Sequence, residues 1–195
     1  MQAVNISLFQ WLAAGPAPDA HLLWLAALLA EGTSWLCLAL LAVAAWRQPA
    51  QRGYAMATLA AAAAAALAAH ALAGALNLPR PFVAGLSPNY IAHGARGALP
   101  SAHASVMFTL ALVLCLRPAL RTLGLAVFAI ALVTGWARIY VGAHFPFDIA
   151  AGLALGVVIT ALFWVLGVVV RRIVVPLVAR DDARSAAKPT GSPAA

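Results

Sequence analysis

Apolar residues along this chain gather into long runs separated by short polar turns, and several of the runs are long enough to cross a bilayer as helices. The pattern predicts spans over residues 20–46, 54–76, 101–116, 122–140 and 146–170, the third of them short. Asp19, after the breakers Pro16 and Pro18, is a natural N-cap for the first span, and Trp24 and Trp46 fall near its two ends as interface anchors would. Pro100 and Ser101 form a good start for the third. Residues 5–14 mix Ile6, Leu8, Phe9, Trp11 and Leu12 with Asn5, Ser7 and Gln10, which suits either a short helix in the membrane interface or a frayed terminus. The alanine tract at residues 60–66 suits close helix contact in lipid. Residues 77–100 make the longest stretch between spans, and a polar loop of that length in so small a protein is usually functional. The fold class expected is all-α: a polytopic integral-membrane helix bundle of about five transmembrane helices, with the interfacial N-terminal helix as an addition.

Composition narrows the picture. Of 195 residues, 65% are hydrophobic and only 9% are charged, too apolar for a soluble domain of this size. No basic segment precedes an apolar core at the N-terminus, so the first span is expected to direct insertion without a cleaved signal. Residues 1–180 are expected to form one membrane-embedded domain, with residues 181–195 a disordered cytoplasmic tail. Cys37 and Cys115 both sit in apolar runs and read as buried thiols.

The net charge of +7 reports topology rather than nucleic-acid binding, because the basic residues lie in short loops. If the turns at residues 47–53 and 117–121 share a face with the C-terminal segment, that face carries Arg47, Arg52, Arg117, Arg121, Arg171, Arg172, Arg180, Arg184 and Lys188, nine of the twelve Lys and Arg. By the positive-inside rule it is cytoplasmic. Arg80, Arg96 and Arg138 then fall at the opposite face with His93, His103, His144 and Asp148, where an anionic ligand gives arginines a purpose. Glu31 lies well inside the first span and is expected either to tie helices together or to support a site from behind. His70 reads as a packing or interfacial residue, and His93 as a loop residue without an assigned role.

Three separated segments reach the outer face: Arg80-Pro81, Pro100-Ser101-Ala102-His103, and Arg138 with His144 six and Asp148 ten residues later. In order and spacing they resemble the three-part signature of the type-2 phosphatidic acid phosphatase superfamily. The wording PRPFVAG and RIYVGAHFPFDI is most similar to the bacitracin-resistance type of undecaprenyl-diphosphate phosphatase, a bacterial inner-membrane branch with its site facing the periplasm. The departures are Ala73 where the pattern has lysine, Ala102 for glycine and Ala137 for serine.

Phosphoryl transfer needs a nucleophile in line, a proton source for the leaving oxygen and cations on the equatorial oxygens. The resemblance and that chemistry together assign His144 as the nucleophile, Asp148 as the group orienting it, and His103 as general acid and then base. Arg80, Arg138, the Ser101 hydroxyl and the backbone at Ala102 are expected to hold phosphate, and Arg96 to supply the charge that Ala73 lacks. No metal or other cofactor is expected. The expected function is hydrolysis of a lipid (pyro)phosphate, undecaprenyl diphosphate first. The same mechanism on phosphatidylglycerol phosphate, phosphatidate or lipid A, or phosphotransfer to a lipid acceptor, remains open at this point, as does a non-catalytic transporter or scaffold that binds a phosphorylated lipid.

Overall fold

The computed structural model describes residues 2–95, 97–174 and 176, and every described regular element is helical. Six α-helices run in order: α1 (Gln2–Leu12), α2 (Ala20–Arg47), α3 (Arg52–Leu76), α4 (Ala102–Cys115), α5 (Arg121–Tyr140) and α6 (Pro146–Val169). Short 3-10 turns at Pro49–Gln51 and Pro118–Leu120 precede α3 and α5, and a π-helical turn, Val170–Val174, follows α6. Arg180, Arg184, Lys188 and the expected tail lie outside the described residues.

The start signals in the sequence act as capping chemistry predicts. Asp19 accepts the Leu22 N–H at 2.9 Å, and the buried Ser101 hydroxyl caps α4 through the Ala104 N–H. α3 ends where Asn77 takes a left-handed conformation, φ 43°, a residue type that tolerates it. Residues 2–12 form a helix rather than a frayed end. Phe9 is fully buried against Phe145, ring centroids 5.3 Å apart, and Asn5 Oδ1 accepts the Phe147 N–H at 3.1 Å.

Among the described residues, four helical segments are long and apolar enough to cross a membrane: Ala20–Arg47, Pro49–Leu76, Pro118–Tyr140 and Pro146–Ile173. Most of the first two faces outward while remaining apolar, as lipid-facing surface must. α4 has only 14 residues, about 21 Å at 1.5 Å per residue against a hydrocarbon core of about 30 Å. Nine of those 14 residues are buried, so the helix meets other helices instead of lipid along most of its length. The protein is a multi-pass membrane protein whose described residues include four long apolar helices and this shorter one.

Packing is by small side chains. Ala55, Ala62, Ala65, Ala69 and Ala73 bury one stripe of α3, the side that meets α4, while Ala60, Ala63 and Ala64 face out. Gly152 brings α6 so close to α4 that an added Cβ would sit 2.6 Å from Ala104 Cβ. Thr33 on α2 and Thr134 on α5 share a hydroxyl hydrogen bond of 2.6 Å.

At one end of the bundle the two basic turns meet. Arg117 Nε donates to Gln51 Oε1 at 2.9 Å, and its guanidinium lies 5.4 Å from the centre of the Tyr54 ring. The turns at residues 47–53 and 117–121 therefore share a face, which meets, for these two turns, the condition on which the charge argument rests. Contacts divide the chain into Met1–Thr160, which holds the site described below, and Ala161–Ala195, whose described part is the remainder of α6 with Arg171 and Arg172 in its π-helical turn.

Candidate active site

Residues 77–100, the start of α4 and the α5–α6 junction converge at the other end. Asp148 donates nothing from its side chain but its backbone carbonyl accepts the Ser101 N–H at 3.0 Å, and Arg80 Nη1 donates to the Ala143 carbonyl at 2.9 Å. α5 closes through Ala143 and His144, whose N–H groups both turn back to the Arg138 carbonyl, with Gly142 supplying φ +77°. α6 opens at Pro146, which has no N–H to leave unpaired. Asp148 then makes a reciprocal cap with Phe145: Oδ2 accepts the Phe145 N–H at 2.8 Å and the Asp148 N–H reaches the Phe145 carbonyl at 3.0 Å. A carboxylate in this position also complements the helix N-terminus.

That cap aims the carboxylate. Asp148 Oδ2 lies 3.3 Å from His144 Nδ1, and both residues are buried. An acceptor at Nδ1 places the ring proton there and leaves the Nε2 lone pair free to accept. Arg80 Nη1 meets that lone pair at 2.9 Å. Burial first, then the charges of Arg138 and Arg80, hold the His144 pKa well below its usual 6.5, so the ring is neutral at physiological pH. Arg80 is itself buried, and it also donates from Nη2 to the Gly97 carbonyl at 3.4 Å. Burial draws its pKa down while the charge of Asp148 opposes the shift.

These groups open onto a cavity of about 870 Å³ whose wall includes Arg80, His93, Ala102, His103, His144 and His70. Its size suits a small-molecule or headgroup site. His103, the second residue of α4, lies within electrostatic reach of His144. The wall excludes Arg138, Ser101 and Asp148. Ser101 is spent on the α4 cap, and its carbonyl accepts the Ser105 hydroxyl at 2.9 Å. Arg138 is 1% exposed: Nη1 donates to the Ala30 carbonyl at 3.0 Å, Nη2 to His93 Nε2 at 3.2 Å, and Nε is buried with no acceptor among the described residues.

The structure thus brings together Arg80, His103, Arg138, His144 and Asp148, with Ala102 on the cavity wall and the Ser101 N–H bonded to the Asp148 carbonyl. Arg96 lies outside the described residues. Glu31 is exposed, in a shallow groove with Trp24, Leu28 and Trp35, so it does not stand directly behind the cavity. Its neighbour Ala30 holds Arg138, and Glu31 reaches that arginine electrostatically. Its helical position points it outward while the backbone one residue earlier points in.

Two histidines enter that sequence reasoning set aside. His93 accepts from Arg138 and lies with its ring 6.1 Å from that of His144; burial, then Arg138 and Arg80, pushes its pKa down to about 4. His70 lines the cavity instead of merely packing. Its helical spacing from Ala66, Ala73, Gly74 and Asn77, all on the same wall, is the signal that could have found it. Nothing in a loop's pattern could have found His93. Among the described residues no group of three or more His, Cys, Asp or Glu is arranged to hold a metal ion.

Residues 54–172 match the PAP2 superfamily. The chain belongs to that superfamily. Among its relatives, the putative undecaprenyl-diphosphatase YbjG of Escherichia coli (strain K12) is 30% identical over 160 residues, 81% of this chain and 80% of YbjG. Undecaprenyl-diphosphatase BcrC of Bacillus subtilis (strain 168) is 34% identical over 86 residues, 44% of each chain. The fold is that of the PAP2-type transmembrane phosphatidylglycerolphosphate phosphatase from Bacillus subtilis, with TM-score 0.66 at 18% identity over 88% of each chain. Aquifex aeolicus LpxE is similar too, with TM-score 0.64 at 21% identity over 83% of this chain and 94% of that one. The PAP2 match begins within α3 and ends in the π-helical turn after α6, so it takes in Arg80, His93, His103, Arg138, His144 and Asp148.

Proposed function

We propose that this PAP2 protein is a lipid phosphatase of the bacterial cytoplasmic membrane that removes the terminal phosphate of undecaprenyl diphosphate, with its site on the periplasmic face. The observation that carries the chemistry is the buried line Asp148–His144–Arg80, at 3.3 and 2.9 Å, ending at the cavity that His103 also lines. Names borne by YbjG and BcrC favour the substrate.

In this reading the His144 Nε2 lone pair attacks the terminal phosphorus as the bond to the bridging oxygen breaks. The bridging oxygen takes a proton from His103 and leaves with the lipid monophosphate. Asp148 keeps the proton on Nδ1 and steadies the charge that the ring gains on bonding to phosphorus. His103 then accepts a proton from water as the water oxygen attacks the phosphohistidine, which releases inorganic phosphate and restores His144. Arg80 moves from Nε2 to the equatorial oxygens, and Arg138 adds its positive charge from behind the wall, within electrostatic reach of His144. The two guanidinium groups supply the cations the transition state requires, so no metal enters the scheme.

The test is phosphate release by detergent-purified protein, with chelator present, from undecaprenyl diphosphate, phosphatidylglycerol phosphate, phosphatidate and lipid A, alongside His144→Ala. The expected result is release from undecaprenyl diphosphate that the substitution abolishes, and an acid-labile phosphoryl group trapped on the wild type. No release from any substrate by the wild type would overturn the enzyme reading. A strong preference for another lipid, or phosphate passed to a lipid acceptor, would replace the substrate or the acceptor only.

A further inference from the structure

The cavity's polar groups are arranged by depth. Gly97 packs directly on the Ala73 carbonyl, and Arg80 donates to the Gly97 carbonyl, so the arginine head lies beside the last turn of α3. His70 is three residues back along the same wall, about 4.5 Å deeper into the bundle. It is within electrostatic reach of His103, one helix across. Deeper still the wall is Ala66 and Val106, with Ser34 from α2. Phosphoryl-binding groups therefore stand at the mouth, two imidazoles at middle depth, and a mainly apolar floor beyond.

Given the phosphatase reading above, on which this step rests, we infer that His70 is a specificity-determining residue that binds the lipid-linked phosphate of a diphosphate substrate. With the terminal phosphate at His144 and the bridging oxygen at His103, the group leaving the mouth and heading into the membrane passes His70. For a lipid diphosphate that group is a second phosphate, and an imidazole N–H donates to its oxygens. For a phosphate monoester such as phosphatidate it is an uncharged alkyl oxygen, and the same N–H gains much less. The mechanism gives His70 no step, yet it is an exposed polar side chain on an α3 cavity wall otherwise made of Ala66, Ala73 and Gly74 before Asn77. α3 is rich in alanine, so replacing His70 by alanine keeps the helix.

The experiment compares kcat/KM for a short-chain isoprenyl diphosphate and a short-chain phosphatidate in detergent, for wild type, His70→Ala and His70→Lys, with His144→Ala as the inactive control. The expected result is that the diphosphate-to-phosphatidate ratio falls about tenfold in His70→Ala and returns to within about threefold of wild type in His70→Lys, whose ammonium keeps a donor at that depth. A ratio unchanged in His70→Ala, whether or not both rates drop, overturns the inference and leaves the phosphatase reading standing. So does a fall in the ratio that lysine does not reverse, or a wild type that cleaves phosphatidate alone. A wild type inactive on both substrates overturns the two together.

Discussion

A local device that the fold needs anyway can also aim a polar side chain at the site. Asp148 is the clearest case, since the carboxylate that caps α6 through Phe145 is the one that faces His144 Nδ1. Asp148→Asn should keep the cap, because an amide oxygen still accepts, while removing the negative charge that steadies the His144 ring when it becomes cationic. We expect kcat to drop by roughly 10²–10⁴ with little loss of thermal stability, read by phosphate release and by melting in detergent. His93 makes a different prediction. It accepts from Arg138, so it must stay neutral, and its pKa of about 4 keeps it so. His93→Gln, which still offers an acceptor, should preserve most activity; His93→Lys sets a cation against a buried guanidinium and should lower kcat/KM about a hundredfold. The pH dependence has a definite sign. For His93 and His144 the folded pKa lies below the unfolded value near 6.5, so the unfolded chain binds more protons between the two. The contribution of His93 to stability is complete above about pH 6.5 and is lost as pH falls toward 4, and that of His144 is lost in the same direction. The melting temperature should decline over that window, and less steeply in His93→Gln. The sequence spacing brought out Arg80, His103, His144 and Asp148 as candidates through motif order, but not the partnership of Arg138 with His93, which are 45 positions apart, one on α5 and the other in the stretch between α3 and α4.

Helices were the most legible level, because apolar runs, Asp19, Ser101, Pro146 and Asn77 mark their ends by simple capping chemistry. What the pattern could not express is which helix lies inside. α4 reads as one more apolar run, yet it is the shortest of the five apolar helices and the most buried, and mean hydropathy does not separate contact with lipid from contact with protein. The alanine tract announced close packing but not its partner. That partner matters for stability. Gly152 meets Ala104 and Gly156 meets Phe108, so Gly152→Leu must push α6 away from α4, which carries His103 and abuts Asp148 through the Ser101 N–H. We expect a loss of about 1–3 kcal/mol in stability, seen as a lower melting temperature in detergent, with activity falling further than the melting curve alone explains because His103 and His144 are separated. Gly53→Leu, at a position where an added Cβ meets nothing within 4 Å, is the control that should change neither.

At the scale of the whole molecule, the basic turns lie at one end of the bundle and the candidate site at the other, which in the phosphatase reading is what orients the enzyme. Arg47, Arg52, Arg117 and Arg121 flank the two turns tied by Arg117 and Gln51, while Arg80 and Arg138 are folded inward at the converging loops, bonded to backbone carbonyls and histidines instead of water. By the positive-inside rule, arginines of the first kind are expected to hold their end of the bundle in the cytoplasm; those of the second keep their charge but are bonded inside the protein and weigh less on insertion. The prediction is that the two ends lie on opposite sides of the membrane, with the site outside. Two exposed positions report it: Gln48 in the basic turn and Asn89 in the loop over the site. In a chain with Cys37 and Cys115 replaced by alanine, a membrane-impermeant maleimide should label Asn89→Cys in cells whose cytoplasmic membrane is intact, and Gln48→Cys only after permeabilisation. The reverse pattern would put the cavity on the cytoplasmic side, where a periplasmic lipid diphosphate could not present its terminal phosphate to His144. In that event the substrate reading would fail while the chemistry of the Asp148–His144–Arg80 line would stand.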